Sequence, residues 1–132
     1  MSTTKIELHR GDVVLIAFPF IAEGHLQQKR RPALVVQADR YNQRREAIVI
    51  AAITSTQGHK QVPSKVFVRK NAPAGRLGGL RLDSVVDCQT LATVPRGEIV
   101  ARLGAFSPAI MREVDRALGD ALALPIRSSL SP

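Results

Sequence analysis

The sequence predicts a mainly β domain, a small barrel or paired sheets, closed by one C-terminal helix. Six short apolar runs rich in β-branched residues follow one another at close spacing, with no helical segment long enough for βαβ units. Gly, Pro, Asn and Asp punctuate the intervals. Only near Ser107 does the apolar period change from strand-like to helical.

Residues 12–18, Asp-Val-Val-Leu-Ile-Ala-Phe, read as the first strand, and Pro19 is expected to stop it. Residues 20–31 are polar and basic around Gly24 and read as a loop. Residues 32–37 form a second strand, and residues 38–46, with Asp39 and Asn42, a second loop. Residues 47–54 are apolar at both parities, so this third strand belongs in the middle of the sheet. Residues 64–68, 84–88 and 98–103 supply three more strands, with a basic Gly/Pro connection over 69–79.

Ser107-Pro108 places an N-cap before a proline at the first helical position. Ile110, Met111, Val114, Leu118 and Leu122 then share one face. The pattern predicts an amphipathic helix of roughly four turns. Pro125 is expected to stop it, and residues 125–132 read as a frayed tail.

The chain has 132 residues, enough for one domain, taken as 1–132 with a core over about 10–124. Its net charge of +8 and pI of about 10.8 call for a polyanionic partner. No apolar run approaches the roughly 18 residues of a spanning helix, so a membrane is not expected. Residues 1–5 lack the apolar stretch of a secretory signal, and the single cysteine, Cys88, fits a reducing cytoplasm. Aromatics are only 4% and Trp is absent, which argues against base-stacking sheets. Charge and hydrogen bonds would carry nucleic-acid affinity instead, with steep salt dependence.

Several short stretches, taken in order, resemble the MazF/PemK (Kid) toxin family. They are Arg10-Gly11-Asp12-Val13-Val14, Arg31-Pro32-Ala33-Leu34-Val35-Val36 and Ala51-Ala52-Ile53-Thr54-Ser55. Gly79-Leu80, Asp83-Ser84-Val85-Val86, Thr93 and residues 99–104 follow, then the closing helix. The resemblance implies an SH3-like β-barrel with a C-terminal helix, assembled as a homodimer. It implies sequence-selective cleavage of single-stranded RNA with no metal or other cofactor. It also implies an antitoxin whose acidic C-terminal segment blocks the RNA groove.

By that resemblance Arg31 and Thr54 are the catalytic pair. A guanidinium forks onto phosphate oxygens and stays charged at physiological pH, which suits transition-state electrostatics. The Thr54 hydroxyl can bond a phosphate oxygen or orient Arg31. Ser55, Gln89 and Asp83 are supporting candidates, and Lys29, Arg30, Lys60, Lys65, Arg69 and Arg81 are candidate RNA-backbone contacts. The plainer reading makes the basic residues a solvated surface and gives Thr54 and Ser55 strand-end turn bonds.

The PemK branch carries an arginine and then an acid where this chain has Asp87 and Gln89. Gln89 cannot act as a base near neutral pH, so the PemK-type acid–base arrangement is in doubt while the MazF-type pair is intact. Asp83 and Asp87 read better as turn or surface salt-bridge residues. His25 and His59 read as solvated loop histidines rather than bases, and His9 still more so. The widely spaced histidines and Cys88 show no zinc pattern. Two other readings remain. One is a non-catalytic nucleic-acid-binding relative. The other is a gyrase poison like CcdB, which the missing Trp-Gly-Ile end disfavours.

Overall fold

The structure is a computed structural model that describes residues 6–125, with the backbone alone described at 18–22 and 27–28. The expectations for the N-terminal residues 1–5 and for the tail beyond 125 lie outside the described residues.

Six strands form one antiparallel sheet: β1 (Asp12–Ala22), β2 (His25–Val35), β3 (Ala47–Ser55), β4 (Lys65–Val68), β5 (Ser84–Pro95) and β6 (Ile99–Ala105). Their order is β4-β5-β3-β2-β1-β6. The described residues also form three α-helices: α1 (Asp39–Asn42), α2 (Pro73–Leu77) and α3 (Pro108–Leu122). The mainly β architecture with a closing helix is as read, and β3 does run mid-sheet, between β5 and β2.

A short link shows that the sheet rolls up. β5 and β6 lie four strand intervals apart in the sheet order. Laid flat, that is about 19 Å at the usual strand spacing. Only a 3-10 turn, Arg96–Glu98, joins them, and its length is about 6 Å. The ends therefore meet only if the sheet curls, and Val94 and Ile99 do pack in one cluster with Leu8, Val14, Ile16, Ala33, Val35, Ile48 and Ile50. Arg96 pins this link by donating to the carbonyls of Ile6, Asn42 and Arg45.

The opposite face carries a second core. Val13, Leu34, Ala51, Ile53, Val66, Val86 and Cys88 pack there against Phe106 and against Met111, Val114 and Ala117 of α3. Successive residues such as Val13 and Val14, or Ala33 and Leu34, thus serve opposite cores, which is why these strands read as unbroken apolar runs.

Several local readings need correction. Residues 20–31 are not a loop: β1 and β2 continue as a hairpin paired as far as Ala22↔His25. Its turn holds Glu23 (φ 54) and Gly24 (φ 76), both left-handed, the geometry of a two-residue hairpin turn. Pro19 does not stop β1, because β6 pairs with β1 only from Asp12 to Ile16. Beyond that point one side of β1 has no ladder to break.

Residues 38–46 and 69–79 are not irregular throughout, since they contain α1 and α2. The fifth strand runs on to Pro95, with an irregularity where Ala51 pairs Leu91 but Ala52 pairs Asp87. The polar Gln89-Thr90 pair sits in that bulge and disguises the strand's second half in the sequence.

In α3, the Ser107 side chain accepts from Ile110 N as expected of an N-cap. The helix ends at Leu122, before Pro125, with Ala123 in the left-handed conformation. Leu122 itself is 52% exposed rather than packed on the apolar face.

Candidate active site

Two strands deliver the two residues of greatest interest to the same place. The β2–β3 pairing runs from Val35↔Ile50 to Ala33↔Ala52. Two residues farther out on each strand stand Arg31 and Thr54. Side chains two apart on a strand share a face, so these two emerge side by side where β2 and β3 part. Pro32, just outside the last pair, has no N–H to extend a ladder.

A cleft of about 570 Å³ opens there, lined by Lys29, Arg30, Arg31, Thr54, Ser55 and Arg81, among others. Its walls include the apolar Leu15, Ile53, Leu80 and Leu103. Among the described residues no Asp or Glu lines it, so its charged lining is positive. Among the described residues, none of its four cationic side chains has an ion-pair or hydrogen-bond partner within the chain. The donors are therefore available to an anion, and arginine forks suit phosphate.

Gly79 sets one wall. Its φ is +69, and a Cβ there would strike the carbonyl of Leu103 on β6. Glycine thus lets the segment between α2 and Arg81 lie directly against the barrel edge.

The structure brings together Arg31, Thr54, Ser55, Lys29, Arg30 and Arg81 and leaves the other candidates outside. The carboxylate of Asp83 accepts from Lys70 N at 3.0 Å, and its carbonyl accepts from Thr56 N at 3.2 Å. It anchors a turn. Gln89 is exposed in the β5 bulge, where its backbone N–H donates to Asp87 Oδ1 at 3.0 Å. Asp87 Oδ2 also accepts from Thr90 Oγ1 at 3.0 Å, so this acid is occupied in shaping the bulge. Lys65 lines a separate groove with Glu113, Arg116 and Asp120 of α3. Lys60 and Arg69 are exposed and do not line the cleft.

One contact was underweighted in the sequence. His59 Nε2 lies 2.8 Å from Thr54 Oγ1. A turn makes this possible: His59 N donates to Thr56 O at 3.1 Å, with Gly58 at φ +81. The available signal was a glycine turn directly after a strand end, which folds a side chain back on the strand.

This chain's sequence from residue 9 to 122 matches the family described as PemK-like, MazF-like toxin of type II toxin–antitoxin systems. The chain belongs to the PemK/MazF toxin family. Among curated relatives, Endoribonuclease MazF6 of Mycobacterium tuberculosis is 38% identical over 102 residues, covering 76% of this chain and 85% of that protein. Endoribonuclease MazF2 of Mycobacterium bovis matches to the same extent.

Solved PemK/MazF structures share the fold. The Mycobacterium tuberculosis toxin MazF-mt6 superposes with a TM-score of 0.69 at 19% identity, covering 87% of this chain and 99% of that one. A MazE–MazF complex of Deinococcus radiodurans gives 0.70 at 24% identity, covering 90% and 98%. A mycobacterial endoribonuclease in complex with its cognate antitoxin gives 0.69 at 24%, covering 91% and 99%. No helix among the described residues of this family member is long and apolar enough to cross a membrane.

Proposed function

We propose that this chain is the toxin of a type II toxin–antitoxin pair and an endoribonuclease that cuts single-stranded RNA. The substrate's own 2′-OH attacks the adjacent phosphorus as it loses its proton. The P–O5′ bond breaks, and the leaving oxygen takes up a proton. The products are a 2′,3′-cyclic phosphate and a 5′-OH end, formed without a metal ion. Cleavage of messenger RNA would arrest translation and growth.

The observation that carries this reading is that Arg31 and Thr54 line one cleft whose charged side chains, among the described residues, are all cationic. Arg31 offers two N–H groups to the phosphate oxygens as negative charge grows on them. Thr54 offers a hydroxyl beside it. Lys29, Arg30 and Arg81 hold the flanking backbone, so binding weakens as salt rises. The free cations also suit an acidic antitoxin segment, which would compete with RNA for the same cleft. A homodimer would present two such clefts in the cytoplasm.

The deciding experiment incubates the purified protein with a long single-stranded RNA in EDTA and maps the ends. Discrete cuts with 5′-OH termini, lost in Arg31→Ala, are expected. Binding without cleavage would replace this reading with that of a non-catalytic RNA binder.

A further inference from the structure

Among the described residues the cleft has no carboxylate in its lining, yet a histidine stands directly behind one of its hydroxyls. Thr54 Oγ1 and His59 Nε2 are 2.8 Å apart, and either atom could be the donor. The other ring nitrogen decides between them. His59 Nδ1 is buried and has no hydrogen-bond partner among the described residues. A neutral imidazole carries one N–H and one bare nitrogen. If Thr54 donated to Nε2, the proton would sit on Nδ1 as a buried donor with nothing to bond. Orphaned buried N–H groups are rare in folded proteins, and a bare ring nitrogen leaves no proton to be placed in that dry position. The tautomer that fits is Nε2–H, with the bare nitrogen in the dry position.

We infer that His59 is a positioning residue that donates its Nε2–H to Thr54 Oγ1 and so commits the Thr54 hydroxyl proton to the cleft. A hydroxyl that accepts from behind turns its own hydrogen elsewhere. Thr54 makes no other side-chain hydrogen bond among the described residues, and it lines the cleft beside Arg31. Its O–H is then a fixed donor for a phosphate oxygen, and accepting from His59 strengthens that donation. A pre-aimed donor needs no reorientation when charge develops on the phosphorane.

The inference rests on the endoribonuclease reading and sharpens it. Thr54 and Arg31 act together on phosphoryl charge. Thr54 does not relay the 2′-OH proton to His59, because the Nε2 lone pair that such a relay needs is absent. The turn is part of the device, since Gly58 at φ +81 brings the ring back to the strand end.

The first test needs no RNA. Long-range ¹H–¹⁵N spectra of the full-length protein, at a pH where the ring is neutral, should show His59 protonated at Nε2. A dominant Nδ1–H tautomer overturns the inference in favour of a relay. The second test measures cleavage of a defined oligonucleotide. His59→Ala should lower kcat about tenfold, the usual scale for one neutral hydrogen bond, with KM little changed. His59→Gln places an amide donor near the same point and should recover most of that loss. His59→Ala should add nothing once Thr54→Val is present, whereas independent losses would overturn the inference. Should His59→Ala fail to fold by thermal melting, the wild-type tautomer still decides. If wild-type protein cuts no RNA at all, the endoribonuclease reading fails, while the tautomer result judges the Thr54–His59 pairing separately.

Discussion

Arg102 Nε lies 3.1 Å from Oδ1 of Asp12, a carboxylate of which only 3% is exposed. The other oxygen, Oδ2, accepts from His9 N at 2.9 Å. Asp12 opens β1 and Arg102 lies on β6, so the pair ties the barrel's edge strand to the chain entering it. Arg102 is 49% exposed, but its partner is not, and that asymmetry sets the cost of breaking the pair. Arg102→Ala strands a buried charge and should cost about 2 kcal/mol. Asp12→Asn keeps an acceptor for His9 but turns an amide donor toward the guanidinium. The double variant removes both faults and should be more stable than either single one. Urea unfolding of the set checks this, and additive losses would contradict it.

Arg31 separates activity from stability. It is exposed and, among the described residues, has no partner to lose. Arg31→Ala should therefore leave the melting temperature almost unchanged while lowering kcat roughly 10²- to 10³-fold, the range for deleting one transition-state donor. Arg31→Lys keeps the charge but loses the fork, and it should recover only a small part. Cleavage rates beside melting curves give the comparison. A large stability loss would mean that Arg31 is a structural residue.

The sequence exposed the parts of this molecule that depend on local pattern. The two-sided burial of β3, the Ser107-Pro108 start of α3 and the place of Arg31 before Pro32 all follow from short-range chemistry. The parts it concealed depend on pairing. Residues 20–31 are polar, yet they form strand because their backbone groups pair across the Glu23–Gly24 turn. The second half of β5 was hidden by a polar bulge whose shape Asp87 fixes from both carboxylate oxygens. In the candidate site, Arg31 and Thr54 could be named from the sequence, but their meeting in one cleft depends on the β2–β3 ladder that ends just before them. His59 looked like a solvated loop residue because nothing in linear order shows that a turn returns it to Thr54.

Cys88 gives a pH signature. The thiol is fully buried on the α3 side of the sheet. Burial, and next the neighbouring Asp87 charge, push its pKa up from 9.0 to about 11. The folded state then holds a proton that the unfolded thiol releases above pH 9. Stability contributed by the neutral thiol is complete below the unfolded value and declines as pH climbs toward the folded one. The urea midpoint should fall from pH 9 to 11, and Cys88→Ala should fall less steeply across the same window. At pH 8 a small alkylating reagent should label Cys88 only as fast as the protein opens. Rapid labelling of the native state would show the thiol to be accessible.

Ala123 closes α3 at φ 54, and its N–H donates to Asp120 O while Leu124 N donates to Gly119 O. These two bonds satisfy the last carbonyls of the helix in the manner of a Schellman cap. A Cβ in the left-handed region costs about 1 kcal/mol, and glycine escapes that cost. Ala123→Gly should therefore raise stability despite the extra freedom it gives the unfolded chain, by about 0.5 kcal/mol net. Position 124 must keep a backbone N–H, which makes the longer of the two bonds in sequence. Leu124→Pro removes that donor and should lower stability by about 1 kcal/mol even in the Ala123→Gly background. Thermal unfolding followed by far-ultraviolet circular dichroism measures both changes. A destabilised Ala123→Gly variant would mean that the helix end is held by packing rather than by its cap.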